Sequence, residues 1–245
     1  MSTTHNRIRR VGLILALASA TLAPAAIAAV QFTSDFNVES CKFEPNGRQN
    51  PYFSLNPGDQ LTLEGEEDGK AARVEVTVEN QTQRITFTTP GGTAMSLLAR
   101  VVVEKEWIDG EIVEVATNWL SRCRQTQDVF YFGESVDNYE HGQVANHDGS
   151  WEAGVGGAQP GILIPARFLL GSRYYQEQAP GVAFDRIENV DMGFKVKAAG
   201  KTFRDCVAVS ETSQLDPGSE SLKVYCPGIG LVMDDEFTLT AYRRN

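Results

Sequence analysis

Two alternating apolar and polar runs, residues 99–107 and 111–123, meet at Asp109-Gly110. Asp-Gly between such runs is the preferred two-residue hairpin turn, because both of its residues accept the positive φ that the strand twist demands. This hairpin constrains the fold more than any other feature, since it commits some twenty-five residues to antiparallel sheet. Pairing about the turn sets Trp107 opposite Ile112 and Lys105 opposite Glu114, both favourable cross-strand neighbours.

The same pattern recurs. Residues 60–64, 72–78 and 84–88 alternate as strands, and a turn at Pro57-Gly58 launches the first of them. A second long hairpin is expected from residues 201–211 and 221–226, around a loop holding Asp216-Pro217-Gly218. Helical periodicity is scarce, whereas Val, Thr, Ile, Phe and Tyr recur in short runs divided by Gly, Pro and Asp-Gly. That points to an all-β, mainly antiparallel chain. The expected architecture is a sandwich or half-barrel of two similar β units, about 51–135 and 165–240, with a long Gly-rich loop between them. The stretch at 57–63 parallels 170–176, and an aromatic or apolar strand follows each long hairpin, at 128–133 and 228–233. Residues 51–245 are read as one domain and 29–50 as an irregular segment before it.

The start of the chain reads as an export signal. Arg7, Arg9 and Arg10 precede an apolar run from Val11 to Leu22, a break at Pro24 and the small residues Ala25 to Ala29. A charged region, a short apolar region and an A-x-A site make a cleavable signal peptide over 1–28, too short and too rich in Ala and Thr for a membrane anchor. The ordinary secretory route suits the context of Arg9-Arg10 better than the twin-arginine route. The first cysteine, Cys41, lies too far on for lipid attachment at the cleavage point. The expected location is therefore the periplasm or the medium, with no membrane-embedded part.

Charge and cysteine usage narrow the partners. The net charge is −10, and three of the 22 basic residues but none of the 32 acidic ones belong to the signal segment, so the rest is more acidic still. Such a field repels phosphate backbones, which argues against nucleic acid and leaves a small molecule, a polymer or a protein as partner. Cys41, Cys123, Cys206 and Cys226 all follow the signal and none forms a C-x-x-C pair, so structural disulfides are expected in an oxidising compartment. Setting Cys206 opposite Cys226 in the second hairpin puts Cys206, Ala208, Leu222, Val224 and Cys226 on one face, apolar but for Ser210. Val207, Val209, Lys223 and Tyr225 then share a mixed face, open to partial solvation. Cys206–Cys226 is the preferred bridge, and Cys41–Cys123 follows by elimination.

Chemistry is sought between the two halves. Residues 131–162 gather carboxylates, His141, His147, Trp151 and several glycines in a stretch too long for an ordinary connection. Long structured loops on a sheet scaffold commonly carry binding. Glu134, Tyr139, Trp151, Glu152, Gln176 and Glu177 are the residues expected to line a pocket, although Trp151 serves equally as an apolar plug. Glu134, Asp137, Asp148 and Glu152 with backbone carbonyls make a candidate calcium site, although the spacing matches no EF-hand loop. Asp137, His147 and Asp148 are weak metal candidates, and no other cofactor is implied. A pair such as Glu134 and Glu152 would suit acid/base hydrolysis of a glycan or another envelope polymer, given the right separation. No G-x-S-x-G elbow and no P-loop is present, and Gly154-Val-Gly-Gly157 lacks the strand-to-helix setting of a dinucleotide fingerprint.

At Tyr131-Phe-Gly-Glu134, Gly149-Ser-Trp-Glu-Ala-Gly154, Pro160-Gly-Ile162, Tyr174 to Glu177 with Pro180-Gly181, and Tyr225-Cys-Pro-Gly-Ile-Gly-Leu-Val232, the chain resembles a functionally unassigned set of bacterial exported proteins and lipoproteins. The resemblance covers roughly 51–236 and implies a shared β fold, with no activity attached. This chain departs from that set in lacking the lipobox cysteine, in carrying Leu61 and Leu63 where aromatics are common, and in having Cys226 where Ala is usual. The expected function is a soluble binding or accessory protein. The alternatives are a carboxylate-based hydrolase and a calcium-stabilised structural protein.

Overall fold

The computed structural model describes residues 30–245, so the export-signal reading of 1–28 lies outside the described residues. Residues 31–245 form one compact unit. After a 3-10 turn at Val38–Ser40 come sixteen strands: β1 (Phe43–Glu44), β2 (Gln60–Glu67), β3 (Lys70–Thr88), β4 (Ala94–Ile108), β5 (Glu111–Cys123), β6 (Val129–Glu140), β7 (Gln143–Asn146) and β8 (Trp151–Glu152). The series continues with β9 (Gln159–Ile164), β10 (Arg173–Tyr175), β11 (Glu177–Gln178), β12 (Asp185–Ala198), β13 (Lys201–Ser213), β14 (Glu220–Cys226), β15 (Gly230–Asp234) and β16 (Phe237–Arg243). No helix among the described residues is long and apolar enough to cross a membrane.

Every strand pairing is antiparallel, and the main path runs β10-β12-β13-β14-β15-β16-β2-β3-β4-β5-β6-β9-β11. Its two ends are successive pieces of one segment. β10 bonds to β12, and two residues later β11 bonds to β9. The sheet thus curls into a nearly closed barrel, which conceals the edges an open sheet would expose. Closure needs backbone to approach backbone at the seam. A Cβ on Gly161 would lie 2.2 Å from the Tyr175 carbonyl oxygen and 2.6 Å from that of Gln176. Neither neighbour can swing away, so Gly161→Ala is expected to cost about 3 kcal/mol through overpacking, read as a lowered melting temperature. An unchanged melt would mean that the seam is not held at this distance.

The Asp109-Gly110 hairpin forms with φ of 50° and 82°, and Asp68-Gly69, His141-Gly142 and Ala199-Gly200 make turns with the same signs. Trp107 faces Ile112 as expected, but a register shift between Glu106 and Trp107 moves the rest of the ladder by one. Lys105 therefore lies opposite Val115, with Glu75 as its partner across β3, and Glu106 lies opposite Glu114. Simple pairing from the turn misses this because one residue is inserted on β5. The strands expected at 72–78 and 84–88 are one strand, β3, with a register shift between Val78 and Thr82. Buried Arg100 satisfies that irregular backbone by donating to the carbonyls of Glu79 and Gln81.

Both disulfides form as expected, with Cα separations of 5.2 Å for Cys41–Cys123 and 4.2 Å for Cys206–Cys226. The register Val207–Tyr225, Ala208–Val224, Val209–Lys223 is the one obtained by placing the second cysteine pair opposite each other. The mixed face of that hairpin is not solvated from outside, however. Val207, Val209 and Tyr225 are buried, and Lys223 points into the barrel. The stretch at 131–162 is likewise no open loop. It folds as β6 to β9, and Phe87, Phe130, Phe132, Trp151 and Ala153 join a core separate from the main one.

Candidate functional site: the barrel lumen

The barrel is not filled by side chains. A cavity of about 360 Å³ runs along its interior, within the size range of small-molecule sites. Its walls follow from strand alternation. Val102 and Glu104 on β4, Ala116 and Glu114 on β5, and Val209 and Glu211 on β13 occupy the same inward phase of their strands. β4 and β13 thus pass from apolar to acidic along the chain and antiparallel β5 from acidic to apolar, so the inward carboxyls of β4 and β5 gather at the same level of the barrel. Apolar residues fill one end of the interior, and carboxylates line the rest.

β6 reaches the lumen through an irregularity. A register shift separates the pairs Asn118–Glu134 and Leu120–Tyr131, so Tyr131 and Glu134 both face inward while Phe130 and Phe132 face the second core. Gly133 makes this possible, with φ 143° and room for no side chain: a Cβ would lie 2.5 Å from the Trp151 carbonyl oxygen. The Tyr131 hydroxyl donates to Asn118 Oδ1 at 2.5 Å.

Eight carboxyl side chains border the cavity, against two cations, Lys223 and Arg244. The cations are already committed. Lys223 Nζ lies 2.8 Å from Glu211 Oε1 and 3.8 Å from Asp234 Oδ2. Burial acts to lower its pKa, but these carboxylates outweigh burial and hold it well above the usual lysine value. Arg244 pairs at 3.0 Å with Asp59, which also accepts from Arg48, Ser54 and the Asn245 amide. Burial alone would raise Asp59, yet these donors bring it below the usual carboxylate range. Asp59 and its partners close one end of the lumen as a neutralised knot.

For the carboxyls not paired with a cation, burial outweighs what compensation they have. Burial outweighs the pull of Lys223 on Glu104 and the hydrogen bond from Tyr131 on Glu134, and with Glu114 and other neighbouring acids pushes both up to about 7. Glu106, on β4 but not bordering the cavity, is also raised to about 7, by burial and by Glu67. Burial also raises Glu114 and Asp185, and holds Glu177 well above the ordinary range even though it accepts from the Asp185 amide at 2.6 Å. Carboxylates crowded in a low-dielectric space cannot all ionise at neutral pH.

Of the residues expected to line a pocket, Glu134, Gln176 and Glu177 do border this cavity, and Tyr139, Trp151 and Glu152 do not. Tyr139 pairs with Val144 on the β6–β7 hairpin. Trp151 is buried in the second core, edge-on to Tyr131 at 5.2 Å between ring centroids. Glu152 lies opposite Gly133, so Glu134 and Glu152 do not converge on the lumen. His147 is exposed and lies 2.8 Å from Asp137, while Asp148 is exposed in the following turn. Among the described residues, no group of three or more His, Cys, Asp and Glu side chains is arranged to hold a metal ion. The charged lumen residues missed from sequence are Asp59, Glu104, Glu114, Asp185, Glu211, Lys223, Asp234 and Arg244. The signal that would have found them is a charge in the apolar phase of an alternating strand, as in Val102-Val-Glu104. No family model, curated protein or solved structure matches the chain.

Proposed function

We propose that this is an exported binding protein that holds a small molecule inside its barrel. The observation that carries this reading is the lumen itself, an unfilled interior whose carboxyls outnumber its cations eight to two. A protein that needed only stability would fill such a space with apolar side chains, because buried, uncompensated acids oppose folding. The two disulfides fit an oxidising compartment, in keeping with the signal-like start of the sequence.

The test is ligand-induced stabilisation of the mature chain against sugars, amino acids, amines and nucleosides, in parallel with Ala116→Trp, which fills the lumen from β5. A ligand at about 100 times its Kd adds about 2.7 kcal/mol, a shift that Ala116→Trp is expected to abolish. A panel in which no stabilisation depends on the lumen refutes the reading.

A second reading, acid/base hydrolysis, has one observation in its favour. Glu104 and Glu134, pushed up to about 7, border the same cavity, and a carboxyl tuned near the working pH can deliver a proton. Turnover of a glycan that Glu134→Gln abolishes would favour it over simple binding.

A further inference from the structure

We propose that the ligand of the lumen is an elongated organic cation carrying at least two ammonium groups, and that Glu104 and Glu134 receive one of them; this rests on the reading of the lumen as a binding site. Two independent features lead there. The first is Glu104. Glu104 borders the cavity, yet no hydrogen bond or ion pair from the described residues reaches its carboxylate. Lys223 faces it from β14 but is bonded to Glu211, and the other groups around it are Asp234, Glu114 and Glu211, all acids. Around Glu134 stand the Tyr131 hydroxyl and three more acids, Glu114, Glu104 and Asp185.

The second feature is the spread of the acids. They come from β4, β5, β6, β11, β12, β13 and β15, and among the described residues they form no cluster able to hold a metal ion. A bare cation needs its oxygens converged at one point. Acids distributed along a space of about 360 Å³ instead suit charges distributed along a chain, with methylenes against Val76, Val102 and Leu231. Tyr131 and Tyr225 border the same cavity and supply aromatic faces of the kind that attract ammonium groups.

Such binding displaces protons. An ammonium beside Glu104 and Glu134 favours their ionised forms, so association releases protons near neutral pH and strengthens as pH rises from 6 to 8, by up to about tenfold per proton per unit. Calorimetry with 1,4-diaminobutane, 1,5-diaminopentane and spermidine, repeated in buffers of different ionisation enthalpy, measures both the affinity and the protons released. 1,4-Butanediol is the uncharged control.

The expected result is saturable binding of at least one amine with net proton release, no binding of the diol, and at least tenfold weakening by Glu104→Gln and by Glu134→Gln. Those variants replace half-buried, raised carboxyls with neutral isosteres and should remain folded, which circular dichroism checks. Binding of an uncharged or anionic compound that Ala116→Trp abolishes, with none of the amines bound, overturns the cationic assignment and leaves the lumen as a binding site. Amine binding that neither Gln variant weakens overturns the assignment of Glu104 and Glu134. No lumen-dependent binding by any compound overturns both readings.

Discussion

At pH 5 the protein is expected to melt some 5–10 °C higher than at pH 8. The direction follows from the lumen. Glu104 moves from an ordinary value of 4.5 to about 7 on folding, because burial and the surrounding acids penalise its charge. A carboxyl raised in the folded state binds its proton more tightly there than in the unfolded chain. Its contribution is therefore fully present below about 4.5 and is lost as pH climbs through about 7. A shift of that size corresponds to about 3 kcal/mol, most of it lost between pH 5 and 8. Glu134 and Glu106 shift in the same sense. Asp59 shifts the opposite way, but its window lies below the ordinary aspartate range, where falling pH removes its stabilising pairs with Arg48 and Arg244. Lys223 is raised, so it loses its proton only at alkaline pH.

The check is a series of thermal melts from pH 4.5 to 8.5, with and without Glu104→Gln. The variant is expected to melt higher than the parent at pH 8 and to show a flatter profile. Equal melting temperatures at pH 5 and 8 in the parent would mean that the lumen acids are solvated or paired, and the site as described would be wrong. A saturating amine would give a separate signature. It should raise the melting temperature most at high pH, where the empty lumen is least stable.

This dependence also explains which parts of the molecule the sequence exposes. Turn chemistry and alternation are local, so Asp109-Gly110 and the Cys206–Cys226 register could be derived from neighbours alone. β12 escaped because its pairing with β13 carries three register shifts between Asn189 and Val196, each of which breaks the alternation that marks a strand. Closure of the barrel escaped because it depends on two adjacent short strands bonding to opposite edges, which no single segment encodes. The lumen acids escaped for the same reason. Lys223 reads as a residue of a half-solvated face, and only the curl of the whole sheet turns that face toward an internal cavity. Glu134, Gln176 and Glu177 were found through their aromatic and glycine-rich surroundings, which also drew in Trp151. The shift at Gly133 sends Tyr131 and Glu134 to one side of β6 and Phe130 and Phe132 to the other, while Trp151, packed edge-on to Tyr131, belongs to the second core.

Replacing Cys41 and Cys123 together by Ala should cost about 4 kcal/mol, more than the equivalent change at Cys206 and Cys226, at about 3 kcal/mol. The two bridges span 82 and 20 residues respectively, and the longer loop removes more freedom from the unfolded chain. The first bridge also has a structural consequence that the second lacks. It ties the segment before β2 to β5, beside the β1–β5 pairing and the packing of Phe43 against Phe130 and Phe132. That segment continues into Phe53, Ser54 and Asp59, which border one end of the lumen. Loss of Cys41–Cys123 is therefore expected to lower the melting temperature and to weaken ligand-induced stabilisation as well, whereas loss of Cys206–Cys226 should act on stability with less effect on binding. Melts of the two double variants, with and without a lumen ligand, separate these effects. A Cys41–Cys123 variant that is destabilised yet binds with parental affinity would show that the lumen's closed end is held by Asp59 and its arginines alone. The same variant melting at the parental temperature would show that this segment is already fixed by packing, and that the bridge restrains little in the unfolded chain.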